Sequence, residues 1–354
     1  MRTVFSTRHM RVFRSKPGSG QVLSLCSHTA WAERGVPQET SVPEASLNFT
    51  RPGRRTRERS SPSTTVIFLE NDSLRVSVLH PEGDRSRLGP RFCTGGYVYQ
   101  VEDLKRGPLL AGPEFPDAEP SVLNGQGMPD VFQFTLYDSP EEIPEKKLIP
   151  GVGIIDNRKG RKACESHFQS AVEEFARWEI EQTEQKLIMR TKQGYRDWRF
   201  ALSRTLELSG RRLRSKTALH NLGPAPLPFR WFAHPFFPLT TDRRCAILPQ
   251  GYTVADNPGF SLDAEGLLVM KESAAWDTGH YQLLSSSGAG VLFGSHHFHP
   301  LVSLIDFSSD FVPSKVALWA NDRTFSCEPF HEALIAPDDY QEWSVTLDAP
   351  EDSR

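Results

Sequence analysis

From about Thr65 onward the chain is a succession of short apolar runs cut by Gly, Pro, Asn and Asp. Val66-Ile67-Phe68-Leu69 and Leu74-Arg75-Val76-Ser77-Val78-Leu79 open the series. The second alternates apolar and polar residues for most of its length, the period that sends successive side chains to opposite faces of a strand. Similar runs fall at 131–137, 171–181, 186–191, 198–208, 212–220, 227–233, 281–284, 291–294, 301–307, 315–319, 324–328 and 342–347. In Arg212-Leu213-Arg214-Ser215-Lys216-Thr217-Ala218-Leu219 the cations take even positions and the less polar residues mostly odd ones, so one face is wet and one packed. The pattern predicts about fourteen strands and no long amphipathic helix. That is more than one open sheet usually carries, so the expected fold is all-β, a large antiparallel two-sheet sandwich.

The first 64 residues have a different texture. They are rich in Arg, Ser and Pro, and Arg51-Pro52-Gly53-Arg54-Arg55-Thr56-Arg57-Glu58-Arg59 has no apolar period. The expectation is a disordered basic tail or leader over 1–64, with a sandwich domain over 65–354. Of the 354 residues, 38% are hydrophobic and 24% charged, an ordinary soluble composition. The formal charge of -3 conceals an asymmetry: residues 1–60 hold eleven Lys/Arg against four Asp/Glu, and the remainder 30 against 40. An acidic body argues against a nucleic-acid partner. No apolar run approaches the roughly 18 residues of a membrane span. Cys26, Cys93, Cys164, Cys245 and Cys327 are odd in number, scattered and without a CxxC pair, which argues against a disulfide framework and a zinc site and makes a reducing cytoplasm the expected location.

Two residues stand out as chemistry. The run ending Trp231-Phe232-Ala233-His234-Pro235-Phe236-Phe237 carries a histidine to a point where proline stops the ladder. An imidazole with an ordinary pKa of roughly 6.5 suits proton donation and recapture near neutrality, although a histidine among aromatics is also a common core residue. Thr324-Phe325-Ser326-Cys327-Glu328-Pro329-Phe330 repeats the device with a carboxylate. Burial would make Glu328 a competent base; the alternative is a salt bridge to an arginine. Ser295-His296-His297-Phe298-His299-Pro300 invites a metal reading, but no Glu occurs between Glu272 and Glu328, so rim residues of a cleft are expected and metal is not. Trp198, Trp231, Phe236, Phe237 and Trp276 are dense around these motifs, most of them as core.

The order of these motifs resembles the aldose 1-epimerase (galactose mutarotase) superfamily. The resemblance rests on the Asn221–Gly223 turn, His234–Phe237, Glu328-Pro329, and the acidic turn leading to Trp343, together with the Gly-rich segment Leu88–Tyr97. It covers roughly Thr65 to Leu347 and implies a galactose mutarotase-like supersandwich that interconverts the α and β anomers of an aldose or hexose phosphate. By the same resemblance Glu328 is the base at the anomeric hydroxyl and His234 the acid at the ring oxygen, with no cofactor. The second histidine of the galactose type, in a His-Gly-Gly motif, is missing; Leu123-Asn124-Gly125-Gln126-Gly127-Met128-Pro129 occupies the corresponding region. Arginines near the early strands resemble the hexose-6-phosphate mutarotase branch, so Arg91 is the preferred ligand for a sugar oxygen or phosphate, with Arg85 and Arg87 nearby; the alternative for Arg91 is a structural ion pair. Asp277 and Asp256 are candidates for the aspartate that the family uses on sugar hydroxyls, or else ordinary turn residues. A small-molecule sugar is the expected partner. A non-catalytic carbohydrate-binding protein on the same fold is the competing function, but such a protein needs no matched acid and base.

Overall fold

A computed structural model describes residues 65–117, 119–133, 145–160, 171–277, 279–286 and 290–351. The expected leader over 1–64 lies outside the described residues, as do Cys26, Cys164 and the part of the run 131–137 beyond Gln133.

Alternation of side chains is what builds the sheets. Arg212–Asn221 buries Leu213, Ser215, Thr217, Leu219 and Asn221 and turns Arg212 and Arg214 outward, the face assignment expected from the even-numbered cations. It is a central strand of a ten-stranded antiparallel sheet. That sheet runs from Phe260–Leu262 through Leu267–Met270, Arg244–Ile247, Gly294–His299, Ser303–Ser309, Tyr340–Asp348, Arg212–Asn221, Trp198–Ser209 and Lys186–Tyr195 to Glu179–Gln182. A seven-stranded sheet is ordered Tyr252–Val254, His280–Ser286, Lys315–Ala320, Thr324–Ile335, Leu227–Ala233 and Asp130–Gln133, and the short Phe237–Pro238 also pairs with Thr324–Ile335. Sheets of four strands (from Ile67–Glu70 to Gly107–Pro108) and three strands (from Lys146–Ile149 to Val172–Phe175) complete the described residues. Helix among them is confined to Asn157–Gly160 and a 3-10 turn at Arg85–Arg87, and none is long and apolar enough to cross a membrane.

The two large sheets pack face to face through aromatic rings. Trp343 of the ten-stranded sheet stacks on Phe229 of the other (centroids 4.7 Å apart, planes at 11°) and meets the edge of Trp231 at 5.5 Å. Such rings bury large apolar areas and prefer offset or edge contacts, which fixes the relative position of the sheets. One charged link crosses the same interior. Arg204, from the ten-stranded sheet, ion-pairs with Asp130 of the seven-stranded sheet, both nearly fully buried, and gives further hydrogen bonds to Ser215 (2.8 Å) and Thr217.

Several expected boundaries differ, among them that of the run 186–191, which continues to Tyr195. The run 171–181 divides at Ala176–Trp178 into Val172–Phe175 and Glu179–Gln182, which join different sheets. The strand expected at Val291–Gly294 begins only at Gly294 and continues to His299. The run expected to stop at Pro329 continues to Ile335. Pro329 is accommodated inside this strand because the neighbour Leu227–Ala233 ends at the same level, Phe232↔Phe330 being its last pair before the break. Val98–Asp103, Lys146–Ile149, Gly153–Asp156, Arg244–Ile247 and Leu267–Met270 are strands beyond those expected.

Removing one member of a buried ion pair leaves an uncompensated charge, whereas replacing both need not. Arg204→Met is therefore expected to lower unfolding stability by about 3–5 kcal/mol. The double variant Arg204→Met/Asp130→Leu should recover most of that loss, read from urea midpoints.

Candidate functional site

Leu227–Ala233 and Phe237–Pro238 both pair with Thr324–Ile335 in one register, ending at Phe232↔Phe330 and resuming at Phe237↔Phe325. Between them, His234, Pro235 and Phe236 leave the ladder opposite Ser326, Cys327 and Glu328. Proline cannot donate a ladder bond, so the backbone turns elsewhere for partners. The amide of His234 donates to Pro129 O and that of Phe236 to Gly127 O, each at 2.8 Å. Gly127 has φ +80, and a Cβ there would fall 2.4 Å from the Val98 carbonyl oxygen, so only glycine fits. The segment 123–129, which stands where the family resemblance wanted a His-Gly-Gly motif, thus acts through its backbone.

The break brings the two sequence candidates together. His234 Nε2 lies 3.2 Å from Glu328 Oε1, across 94 residues of sequence. The other ring nitrogen, Nδ1, is 3.0 Å from Ser326 Oγ. Phe236 stacks on the imidazole at 4.2 Å, and Phe232, Trp319 and Phe92 surround it at 6.0–6.3 Å. His234 is 2% exposed and Glu328 3%. Two surface hollows lie elsewhere. One, of about 620 Å³, is on the outer face of the ten-stranded sheet beside His296 and Asp306, and the other adjoins Tyr195 and Arg199.

Burial dominates the electrostatics. It pushes Glu328 up to about 8, against the Arg91 guanidinium and the Ser326 hydroxyl, which both favour the charged form. Arg91 is half-buried, donates Nη1–H to Leu123 O at 2.6 Å and lies 4.9 Å from the Phe92 ring. Burial lowers its pKa and the Glu328 charge raises it. On the same sheet face, Tyr281 is raised to about 12 by burial, then by Glu328, with Arg230 acting the other way, so its phenol senses both ends of the face. Beyond Glu328 along that face, Glu332 bridges Arg230 (2.8 Å) and Lys315 (3.6 Å), and the Lys315 ammonium sits 4.4 Å from the Phe330 ring. Ala317, opposite Glu328, leaves a low floor between Trp319 and Lys315.

His234, Glu328 and Arg91 converge; the other candidates do not join them. Arg87 ion-pairs with Glu119 at 2.5 Å and lies over Tyr99. Asp256 is fully exposed beside Lys271 (3.6 Å). Asp277 is exposed on the turn leading into His280–Ser286. His297 and His299 are not rim residues. Both are buried in the sheet interior, His297 stacked on Phe237 at 3.8 Å, because the period of two turns Ser295, His297 and His299 inward. Burial pushes them down to about 3 and 4. Among the described residues no group of three or more His, Cys, Asp or Glu is arranged to hold a metal. Trp231, Phe237 and Trp276 are core rings, and Trp198, half-buried in the ten-stranded sheet, belongs to neither face of the site. Asn221 makes a structural turn, accepting from Gly223 N and donating to the Ala225 and Ile335 carbonyls. Sequence reasoning passed over Ser326, Trp319 and Phe92.

Among solved structures, a galactose mutarotase-like protein from Lactobacillus casei superposes with a TM-score of 0.54 over 80% of this chain and 99% of its own, at 12% identity. The chain has the galactose mutarotase-like fold. The Slr1438 protein from Synechocystis sp. PCC 6803 (TM-score 0.48, 17% identity, 80% of this chain and 94% of that one) and a GalM/aldose epimerase homologue from C. elegans (0.45, 9%, 80% and 98%) are also similar. No family model matches the sequence, and no curated protein does.

A carboxyl whose native pKa is raised above the 4.5 of the unfolded chain favours the folded state most below 4.5 and loses that contribution as pH rises through about 8. Glu328→Gln should therefore gain stability relative to wild type between pH 5 and pH 8, read as a widening gap in urea midpoints. A constant gap would mean that Glu328 titrates normally.

Proposed function

We propose that this chain interconverts the α and β anomers of a sugar by acid/base ring opening, with Glu328 as base and His234 as acid. The observation that carries the reading is the 3.2 Å contact between an imidazole and a buried carboxyl, walled by aromatic rings on one face of a galactose mutarotase-like sandwich. Glu328 takes the proton of the anomeric hydroxyl while His234 protonates the ring oxygen, and the bond between that oxygen and C1 breaks. Rotation about C1–C2 presents the other face of the aldehyde, and the same two groups return the protons on closure. Both steps are proton transfers between positioned groups, worth about 10²–10⁴ in rate for each group. Trp319, half-buried beside the imidazole, supplies a ring face for the apolar side of a sugar.

The charge on this face favours a sugar carrying an anion. Arg91, Arg230 and Lys315 stand against Glu332 and a Glu328 that burial keeps largely protonated, which leaves an excess of positive charge for a phosphate. Three free, buried cysteines, Cys93, Cys245 and Cys327, go with a reducing, cytoplasmic setting. A carbohydrate-binding protein without catalysis is the second reading, favoured by the near-complete burial of both His234 and Glu328.

Anomer-exchange NMR on glucose, galactose and glucose 6-phosphate separates these readings. Wild type should accelerate exchange, most for the phosphate, and Glu328→Gln should lose at least about 10² of that acceleration while staying folded. Lys315→Met should raise KM for the 6-phosphate about tenfold and leave the neutral sugars unchanged, the size of one lost charge-assisted hydrogen bond. Binding without acceleration would establish the second reading instead.

A further inference from the structure

Ser326 lies two residues before Glu328 on the strand Thr324–Ile335, so both side chains leave the same face. It is fully buried, opposite Trp319. Its hydroxyl is within 3.0 Å of His234 Nδ1, on the strand face it shares with the Glu328 carboxyl. A hydroxyl has one proton to give and two lone pairs to receive with. An imidazole that exchanges its proton at the other ring nitrogen keeps the Nδ1 proton, and Nδ1–H then donates to a lone pair of Oγ. The nitrogen left to face Glu328 Oε1 is then Nε2.

We propose that Ser326 is the positioning residue of this site: its buried hydroxyl receives Nδ1–H of His234, confining proton exchange on the imidazole to Nε2, the nitrogen that faces Glu328. The inference rests on the anomer-exchange reading for the nitrogen that exchanges its proton, and on the Ser326–His234 contact for the one that keeps it. Nδ1–H donates to Oγ whether the ring is neutral or charged, so the ring keeps one orientation through the cycle. On opening, Nε2–H passes to the ring oxygen as its bond to C1 breaks, and Glu328 takes the anomeric hydroxyl proton. On closure the oxygen at C1 recovers a proton from Glu328, and the hydroxyl at C5 returns one to Nε2 as it attacks. Proton count and charge are the same at the end as at the start. A neutral hydroxyl in this place orients the imidazole without adding the negative charge that a carboxylate partner would bring, which would hold the proton on the ring more firmly.

Protein labelled with 15N-histidine, with His234 assigned through His234→Gln, gives a readout independent of activity. The expected spectrum of neutral His234 shows a protonated Nδ1 and an unprotonated Nε2. Ser326→Ala should lose that preference, and Ser326→Thr should restore it. In anomer exchange, Ser326→Ala should lower kcat about 10–100-fold with little change in KM, the equivalent of a hydrogen bond to a charged group, and the Thr variant should recover most of it. Removing a hydroxyl that favours the ionised carboxylate should also move the alkaline fall of the Ser326→Ala pH profile to higher pH. A wild-type spectrum with the proton on Nε2 overturns the assignment, whatever the variants do. A Ser326→Ala variant that folds and keeps wild-type kcat and pH profile overturns the role. If wild type fails to accelerate exchange but its Nδ1–H signal is present and lost in Ser326→Ala, the functional reading falls and the tautomer assignment stands.

Discussion

The site depends on an interruption in a hydrogen-bonded ladder. Pro235 cannot continue the pairing of Leu227–Ala233 with Thr324–Ile335, yet the register is recovered two residues later at Phe237↔Phe325. Three residues are thereby released from the sheet without disturbing its alignment. That leaves the imidazole of His234 beside Glu328 at a distance the sheet itself sets. The released amides are satisfied by the carbonyls of Gly127 and Pro129, so the break does not leave buried donors without partners. The strand beginning at Asp130 is in turn fixed to the opposite sheet by Arg204. The geometry of this site and the inter-sheet packing are therefore mechanically joined.

Placing a carboxyl among Phe232, Phe236, Trp319 and Ala317 is what raises its proton affinity. A fully apolar surround would leave it an inert acid. Arg91 and Ser326 pull the other way, so the group stands near 8 and can exchange its proton at physiological pH. The same burial, by removing water, strengthens each hydrogen bond in the network of Ser326, His234 and Glu328. The cations at Lys315 and Arg230, spaced along the same face, extend the polar surface away from His234 and Glu328 by two and four residues of strand Thr324–Ile335, roughly 7 and 13 Å at strand rise.

The sheet-rich fold was legible because alternation is strong in runs such as Arg212–Asn221, and His234 and Glu328 were legible because each is a polar residue set in an apolar run immediately before a proline. Strands such as Val98–Asp103 and Arg244–Ile247 were not, since their mixtures of Tyr, Gln, Glu, Asp and Arg show no apolar period; their burial is imposed by neighbouring strands. His297 and His299 misled because an isolated cluster of histidines reads as polar, whereas the pleat turns alternate members into the core. Asp256 carried only the signal of a turn aspartate, and it is one. Ser326 gave no signal because serine in a strand is unremarkable until its hydroxyl is seen against an imidazole. Pro329 was read as a stop, but a proline in the interior of a strand is tolerated where the adjoining strand has ended.

The account turns on a carboxyl that must lose its proton to act, and the pH dependence of kcat/KM for anomer exchange tests this most directly, because that ratio reports ionisations of the free enzyme. Because the pair must hold one proton, on Nε2 of His234 with Glu328 ionised, kcat/KM is predicted to fall as pH rises through about 8, where that last proton leaves. A profile that goes on rising through pH 9, or one flat from pH 5 to 9, would contradict it.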